Sequence, residues 1–348
     1  MTIKSIKIGK TSIGEGNSCY VIAEIGSNFD GSLSKAKKLI KLAKESGANA
    51  AKFQSFLTKN LLSKKGFETK SAFQNSWKNS VWKTYEKAEL PRKWHYELSQ
   101  YSKKIGIDFF TSPWDFDAVD LLDSLDVVAY KIGSGDITYL EILKHIGKKK
   151  KPILLGTGAS TIQEIAQAIK VIKSTGNNKI ILLQSITQYP SPIESANFLV
   201  LNTLKKKFKL NVGYSDHSPG MLVALSSVAL GACVIEKHFT DNSKLKGPDH
   251  PHSMDPKSFQ EMVKNIRFLE KAKGDGIKKV EKVEKETRII QRRGIWTVES
   301  IKKGDKFTVK NIMALRPAIG ISASHYKKLL GKKAWKNFPA YSALKNIN

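Results

Sequence analysis

The sequence predicts an α/β fold, a (β/α)8 TIM barrel followed by a small C-terminal domain. Three observations predict it. Strand-like apolar runs alternate with helical patterns or long loops eight times between Tyr20 and Ile235. The region carrying the alternation is about 270 residues long, a length that suits one barrel. Polar residues able to do chemistry recur at the carboxyl ends of those runs, which is where such barrels place their sites. The structural competitor, a doubly wound open sheet, is disfavoured because no Gly-x-Gly-x-x-Gly follows the first strand.

In chain order, Ile6–Ile8 and the turn at Gly14-Glu15-Gly16 predict a lead-in hairpin that caps a larger fold. Tyr20–Ala23 is the first barrel strand and runs into Glu24-Ile25-Gly26-Ser27-Asn28. A helix follows over Ser34–Ser46, with apolar residues at Ala36, Leu39, Ile40 and Ala43 and a stop at Gly47. In the next strand, Ala50–Phe56, the two-residue period puts Lys52 and Gln54 on one face. Further strands are predicted at Asp108–Thr111, Val127–Ile132, Ile153–Leu155, Ile180–Leu183, Val212–Tyr214 and Cys233–Ile235, with helices such as Ala118–Leu125, Ile162–Thr175 and Met221–Leu230 between them. The barrel domain is assigned to residues 1–273, a charge-rich linker to 274–291 and a compact tail domain of short strands to 292–348. A tail of that size is marginally stable alone, so it is expected to pack on a barrel or on another subunit.

Composition bounds the function. No apolar run approaches the roughly 20 residues of a membrane span, and Met1–Ser5 lacks the apolar core of a signal peptide. Two cysteines, Cys19 and Cys233, are too few for a disulfide framework, so a cytoplasmic protein is expected. The net charge of +28 raises nucleic acid, an acidic membrane surface or anionic small substrates as partners. The lysines fall at helix-face spacings or in runs such as Lys148–Lys151 and Lys205–Lys207, without interleaved aromatics, and read as solvated faces. Nucleic acid and membrane are therefore not expected partners, while an anionic substrate benefits from the field.

Three constellations carry chemistry. A lysine inside a strand run is costly to bury without a negative partner, and Lys52 and Lys131 lie on different strands. With Ser134, Ser215 and the small residues of Gly133-Ser134-Gly135 they suit a phosphate or carboxylate. His217 and His238, at the ends of two runs separated by one strand-helix-strand unit, suit a labile divalent-metal site with open positions, which would polarise a carbonyl as a Lewis acid. Glu24, Asp136 and Asp249 are carboxylates that can move protons or hold sugar hydroxyls.

Six motifs in order carry a resemblance: Ala23-Glu24-Ile25-Gly26-x-Asn28, Ala51-Lys52-Phe53-Gln54, Tyr130 through Asp136, Gly213-Tyr214-Ser215-Asp216-His217, Glu236-Lys237-His238-Phe239-Thr240 and Gly247-Pro248-Asp249. Together they resemble the sialic acid (N-acetylneuraminate) synthase family, which includes legionaminic and pseudaminic acid synthases. The tail, with Arg292-Arg293 and Leu315-Arg316-Pro317-x-x-Gly320-Ile321, looks like that family's antifreeze-like (SAF) domain. The resemblance implies condensation of phosphoenolpyruvate with open-chain N-acetylmannosamine; a 2,4-diacetamido-6-deoxy hexose is the alternative acceptor. It implies a divalent ion, usually Mn2+ with Mg2+ or Co2+ as alternatives, on His217 and His238. Phosphoenolpyruvate contacts match Lys52, Lys131, Ser134 and Ser215, and sugar contacts match Gln54, Tyr189 and Asp249. Glu24 matches the carboxylate near the reacting carbon, and Asp136 stands where Glu is frequent. Arg316 matches an arginine supplied by the other subunit of a domain-swapped homodimer. Departures from the pattern are Phe29-Asp30 for His-Asn, Gly156 for the Ser of a Ser-Thr-Gly, and Thr187 for Asn or Ser.

Overall fold

The computed structural model describes residues 3–70, 74–75 and 77–345. Met1 and Thr2 of the N-terminal segment, and the last three residues of the expected tail domain, lie outside the described residues. The chain forms two compact units, one ending at Gly274 and the other starting at Asp275.

The first unit opens with an antiparallel hairpin, β1 (Ile6–Ile8) and β2 (Thr11–Ile13), in which Ile6 faces Ile13. Eight strands follow: β3 (Tyr20–Glu24), β4 (Ala50–Ser55), β5 (Asp108–Pro113), β6 (Tyr130–Ile132), β7 (Ile153–Gly156), β8 (Ile180–Ser185), β9 (Asn211–Asp216) and β10 (Val234–His238). They pair in the order β5-β4-β3-β10-β9-β8-β7-β6, and every ladder is parallel. Pairing of the first barrel strand with the last curls the sheet, so β5 and β6 flank the remaining seam and the barrel is nearly closed. Every residue of β3, β8, β9 and β10 is buried, as a parallel sheet sheathed by helices requires.

The helices form where the apolar period and the caps agree. Helix Leu33–Glu45 buries Ala36, Leu39, Ile40 and Ala43 on one stripe, and the Ser32 side chain accepts from the Lys35 N–H at its start. Thr161 and Glu164 make a reciprocal capping box on helix Ile162–Ser174. Helix Phe116–Ser124 begins two residues before the sequence expectation because Asp115 caps it, accepting from the Ala118 N–H at 2.7 Å. Conversely, the run Val127–Ile132 is strand only from Tyr130, since the Val127 N–H donates to Leu122 O and closes the preceding helix. After β4 the chain takes a long excursion through short helices Thr58–Leu61 and Val81–Ala88 before helix Trp94–Ile105.

The second unit has its own core, with Ile295, Phe307, Ile312, Leu329, Phe338 and Leu344 buried together. Its sheet pairs β11 (Gly294–Thr297) antiparallel with β12 (Ile312–Leu315). Helix Lys285–Gln291, within the stretch expected to be a linker, is exposed along its whole length. Among the described residues no helix is long and apolar enough to cross a membrane.

Candidate functional site

Strand register turns separate sequence motifs into neighbours. Glu24 stands opposite His238 of β10 on one side and opposite Lys52 of β4 on the other, and Glu236 stands opposite Ser215. The two-residue period then sorts the motif side chains. Glu236 and His238 line the cavity at the carboxyl ends of the strands, whereas Lys237 pairs at 2.7 Å with Asp216 in a separate buried contact.

The inner chamber is a charge-balanced cluster of two lysines and two acids, each side chain at most 7% exposed. Lys52 Nζ lies 2.6 Å from Glu24 Oε2 and 3.9 Å from Glu236 Oε1, and it donates to Ser112 Oγ at 3.2 Å. Glu236 Oε1 accepts from Lys131 Nζ at 3.1 Å and from Ser215 Oγ at 3.0 Å. Burial works to raise Glu236, but Lys131 and Lys52 outweigh it and hold the carboxyl below the usual range. Burial raises Glu24 despite Lys52, and it lowers Lys131 despite Glu236. The chamber, about 140 Å³, is also lined by Ser134 and Ser215. Ser134 Oγ accepts from the Gly158 N–H at 2.9 Å. A Cβ on Gly156 would stand 2.8 Å from that Oγ and 3.0 Å from Ile132 O, so glycine is what admits the serine here.

Two imidazoles form one wall. His217 Nδ1 lies 2.8 Å from Ile186 O, which can only accept, so Nδ1 carries the proton and Nε2 keeps its lone pair. Burial brings His217 down to about 4. Burial, and then the neighbouring His252 and His217, take His238 well below its usual value. The ring centroids are 5.6 Å apart, and His238 Nδ1 is buried with no hydrogen-bond partner. Neutral imidazoles with a free lone pair and an orphaned nitrogen fit a divalent ion. The Tyr189 ring lies against His217, with centroids 4.2 Å apart and planes tilted by 44°.

An outer chamber of about 640 Å³ adjoins the inner one and shares Gln54, Trp114, Tyr189 and His238 with it. Its polar groups include Gln54, Asp136, Asp249 and His252, and its walls include Phe56, Leu61, Leu62, Phe67, Trp77, Tyr85 and Trp114. Gln54 Nε2 donates to Glu24 Oε1 at 2.7 Å. Asp249 Oδ2 accepts from Ser27 N at 2.8 Å and from Ser27 Oγ at 2.7 Å. A Cβ on Gly26, whose φ is +53°, would meet that oxygen at 2.5 Å, so both conformation and space demand glycine there. Burial pushes Asp136 up to about 7, and its Oδ2 is buried without a partner.

The fold thus brings together Glu24, Lys52, Lys131, Ser134, Ser215, His217 and His238 around the inner chamber, and Asp136 and Asp249 around the outer one, with Gln54 and Tyr189 on both. Arg316 directly follows β12 in the second unit. Sequence reasoning noted Glu236 only as a strand-end polar residue; its two-residue spacing from His238 was the signal that it shares the site face. His252, Ser27 and the aromatic wall were missed. They sit on loops or, like Tyr85, on short helices, where periodicity is absent or too brief to report direction.

Comparison with known proteins gives the same picture. The model of the NeuB family matches residues 39–278. The chain is 43% identical to N,N'-diacetyllegionaminic acid synthase of Campylobacter jejuni, over 91% of this chain and 96% of that one. It is 35% identical to pseudaminic acid synthase of the same species, over 94% and 95%. Among solved structures, that of N-acetylneuraminic acid (sialic acid) synthetase from Leptospira borgpetersenii superimposes with a TM-score of 0.73 at 30% identity, covering 82% of this chain and 95% of that one. With its barrel, its strand-end charge cluster and these similarities along nearly its whole length, the chain belongs to the NeuB family.

Proposed function

We propose that the protein is a nonulosonic acid synthase that condenses phosphoenolpyruvate with an open-chain N-acyl amino sugar and water, releasing phosphate. Of the acceptors the sequence raises, a 2,4-diacetamido-6-deoxy hexose fits better than N-acetylmannosamine. The observation that carries the reading is the junction of two unlike chambers, one charged and buried, the other polar at its floor and walled by aromatic and aliphatic side chains. Two acetamido methyls and a 6-deoxy carbon suit such walls, and the similarity to N,N'-diacetyllegionaminic acid synthase points the same way.

In this reading Lys52, Lys131, Ser134 and Ser215 hold the phosphate and carboxylate of phosphoenolpyruvate. Gln54, Tyr189 and Asp249 hold the acceptor, so that its aldehyde carbon faces C3 of phosphoenolpyruvate. A divalent ion on His217 and His238, with Mn2+ favoured and Mg2+ or Co2+ as alternatives, supplies Lewis-acid polarisation of the aldehyde. Glu24 stabilises the positive charge that develops at C2 as C3 attacks. Water adds at C2 and phosphate leaves by C–O cleavage. Asp136, with its raised affinity for a proton, is suited to deliver or accept one at that stage. The tail is assigned as an antifreeze-like (SAF) domain whose Arg316, in a domain-swapped homodimer, meets the acyl group of the sugar in the other subunit. The place of action is the cytoplasm.

The test is phosphate release from phosphoenolpyruvate with Mn2+ and a panel of acceptors. Turnover is expected to be fastest with the diacetamido sugar. Equal or faster release with N-acetylmannosamine moves the assignment to sialic acid synthesis, and no release with any acceptor sinks the synthase reading.

A further inference from the structure

A second set of ligating groups converges on His238. Asp249 and His252 come from the loop after β10, and ligand atoms of His238, Asp249 and His252 all lie within 4.8 Å of one another. The His238 and His252 rings are 4.7 Å apart. His252 Nε2, like His238 Nδ1, is buried with no hydrogen-bond partner. Both oxygens of Asp249 are accounted for in a telling way. Ser27 occupies Oδ2, while Oδ1 stands 3.8 Å from His252 Nε2. That is too long for a hydrogen bond and close to the roughly 3.4 Å separating two ligands on one tetrahedral ion with bonds of about 2.1 Å.

The loop is held in place. Thr240 Oγ1 and His250 Nδ1 are 2.6 Å apart, Asn28 Nδ2 donates to Ser253 Oγ at 2.9 Å, and Ser253 Oγ donates to Asp249 O at 2.6 Å. Such fastening keeps loop ligands in position before an ion arrives.

We propose that His238, Asp249 and His252 form a divalent transition-metal position of two imidazoles and one carboxylate, with His252 a metal ligand in its own right. It shares His238 with the pair His217 and His238, so a single ion would be held by one set or the other. Two nitrogen donors favour Mn2+, Fe2+, Co2+ or Zn2+ over Mg2+. The inference rests on the metal reading above, and its test uses no substrate, so its outcome is separable from that of the synthase reading.

The full-length chain, stripped with a chelator, is titrated with Mn2+ alone and followed by electron paramagnetic resonance, with pulsed measurements counting coupled imidazole nitrogens. His252→Ala is expected to weaken Mn2+ binding about tenfold or more, the ion falling back on His217 and His238, Ser27→Ala to weaken it less, and the double variant His217→Ala with His252→Ala to leave a single nitrogen coupling. His217→Ala is expected to retain Mn2+ with two nitrogen couplings. Unchanged affinity in His252→Ala overturns the proposal, as does loss of Mn2+ in His217→Ala, which does not depend on the folding of a His252 variant. Wild-type chain that takes up no divalent ion overturns both metal readings.

Discussion

The two chambers of the site are built on opposite principles. The inner one is made by strand ends, where register fixes Glu24 beside Lys52 and Glu236 beside Ser215, and its four buried charges pair with one another. The outer one is walled by the excursion after β4, with Phe56, Trp77 and Tyr85 in contact at centroid distances of 5.6–6.2 Å. A strand end cannot shift without breaking the ladder, whereas a loop wall can be rebuilt residue by residue. On the proposed function, the chemistry falls to the inner chamber and the choice of acceptor to the outer one.

The comparison breaks most readily at Glu236. Glu236→Gln leaves Lys131 and Lys52 with a single buried counter-charge, and a loss of roughly 3–5 kcal/mol is expected by urea unfolding, together with loss of phosphate release. A variant as stable and active as wild type would show that the cluster is neither structural nor catalytic.

Asp136 belongs to the outer chamber. Because its folded value is raised from 3.8 to about 7, the folded chain keeps a proton that the unfolded chain has lost, and stability falls as pH rises across that window. Asp136→Asn removes the penalty. Its advantage over wild type is expected to be absent below pH 3.8 and to reach roughly 2 kcal/mol above pH 7, after discount for the group's partial contact with solvent. A difference that stays flat across the window would reject the buried-acid assignment.

The smallest effect belongs to the wall. Tyr85→Ala is expected to raise the KM for the acceptor about tenfold, or about 1.4 kcal/mol, and to leave the KM for phosphoenolpyruvate unchanged. Equal changes in both constants would erase the division between the chambers.

Much of this was legible beforehand because the barrel repeats itself. Lys52 and Lys131 interrupt apolar runs and His217 and His238 stand at the ends of two others, and a buried strand announces a polar residue by the break it makes in the run. Phe56, Trp77 and Tyr85 announce nothing, since the first two lie in irregular segments and the third on a helix of only eight residues, too short for its period to point to a site. Thr187 and Gly156, read as departures from the family pattern, show the same limit. Only the space around Ser134 explains the glycine, and Thr187 proves to line the inner chamber beside Ser134.

By itself, the sequence determined the barrel, its strand order in the chain and the residue types at the strand ends, because alternating apolar periods and caps are local properties that any stretch of chain carries within itself. Tertiary structure alone decided that Glu236 is the common counter-ion of two lysines, that Lys237 leaves the site to pair with Asp216, and that His252 joins His238 and Asp249. Those outcomes depend on register between strands distant in sequence and on the course of loops, which no periodicity encodes.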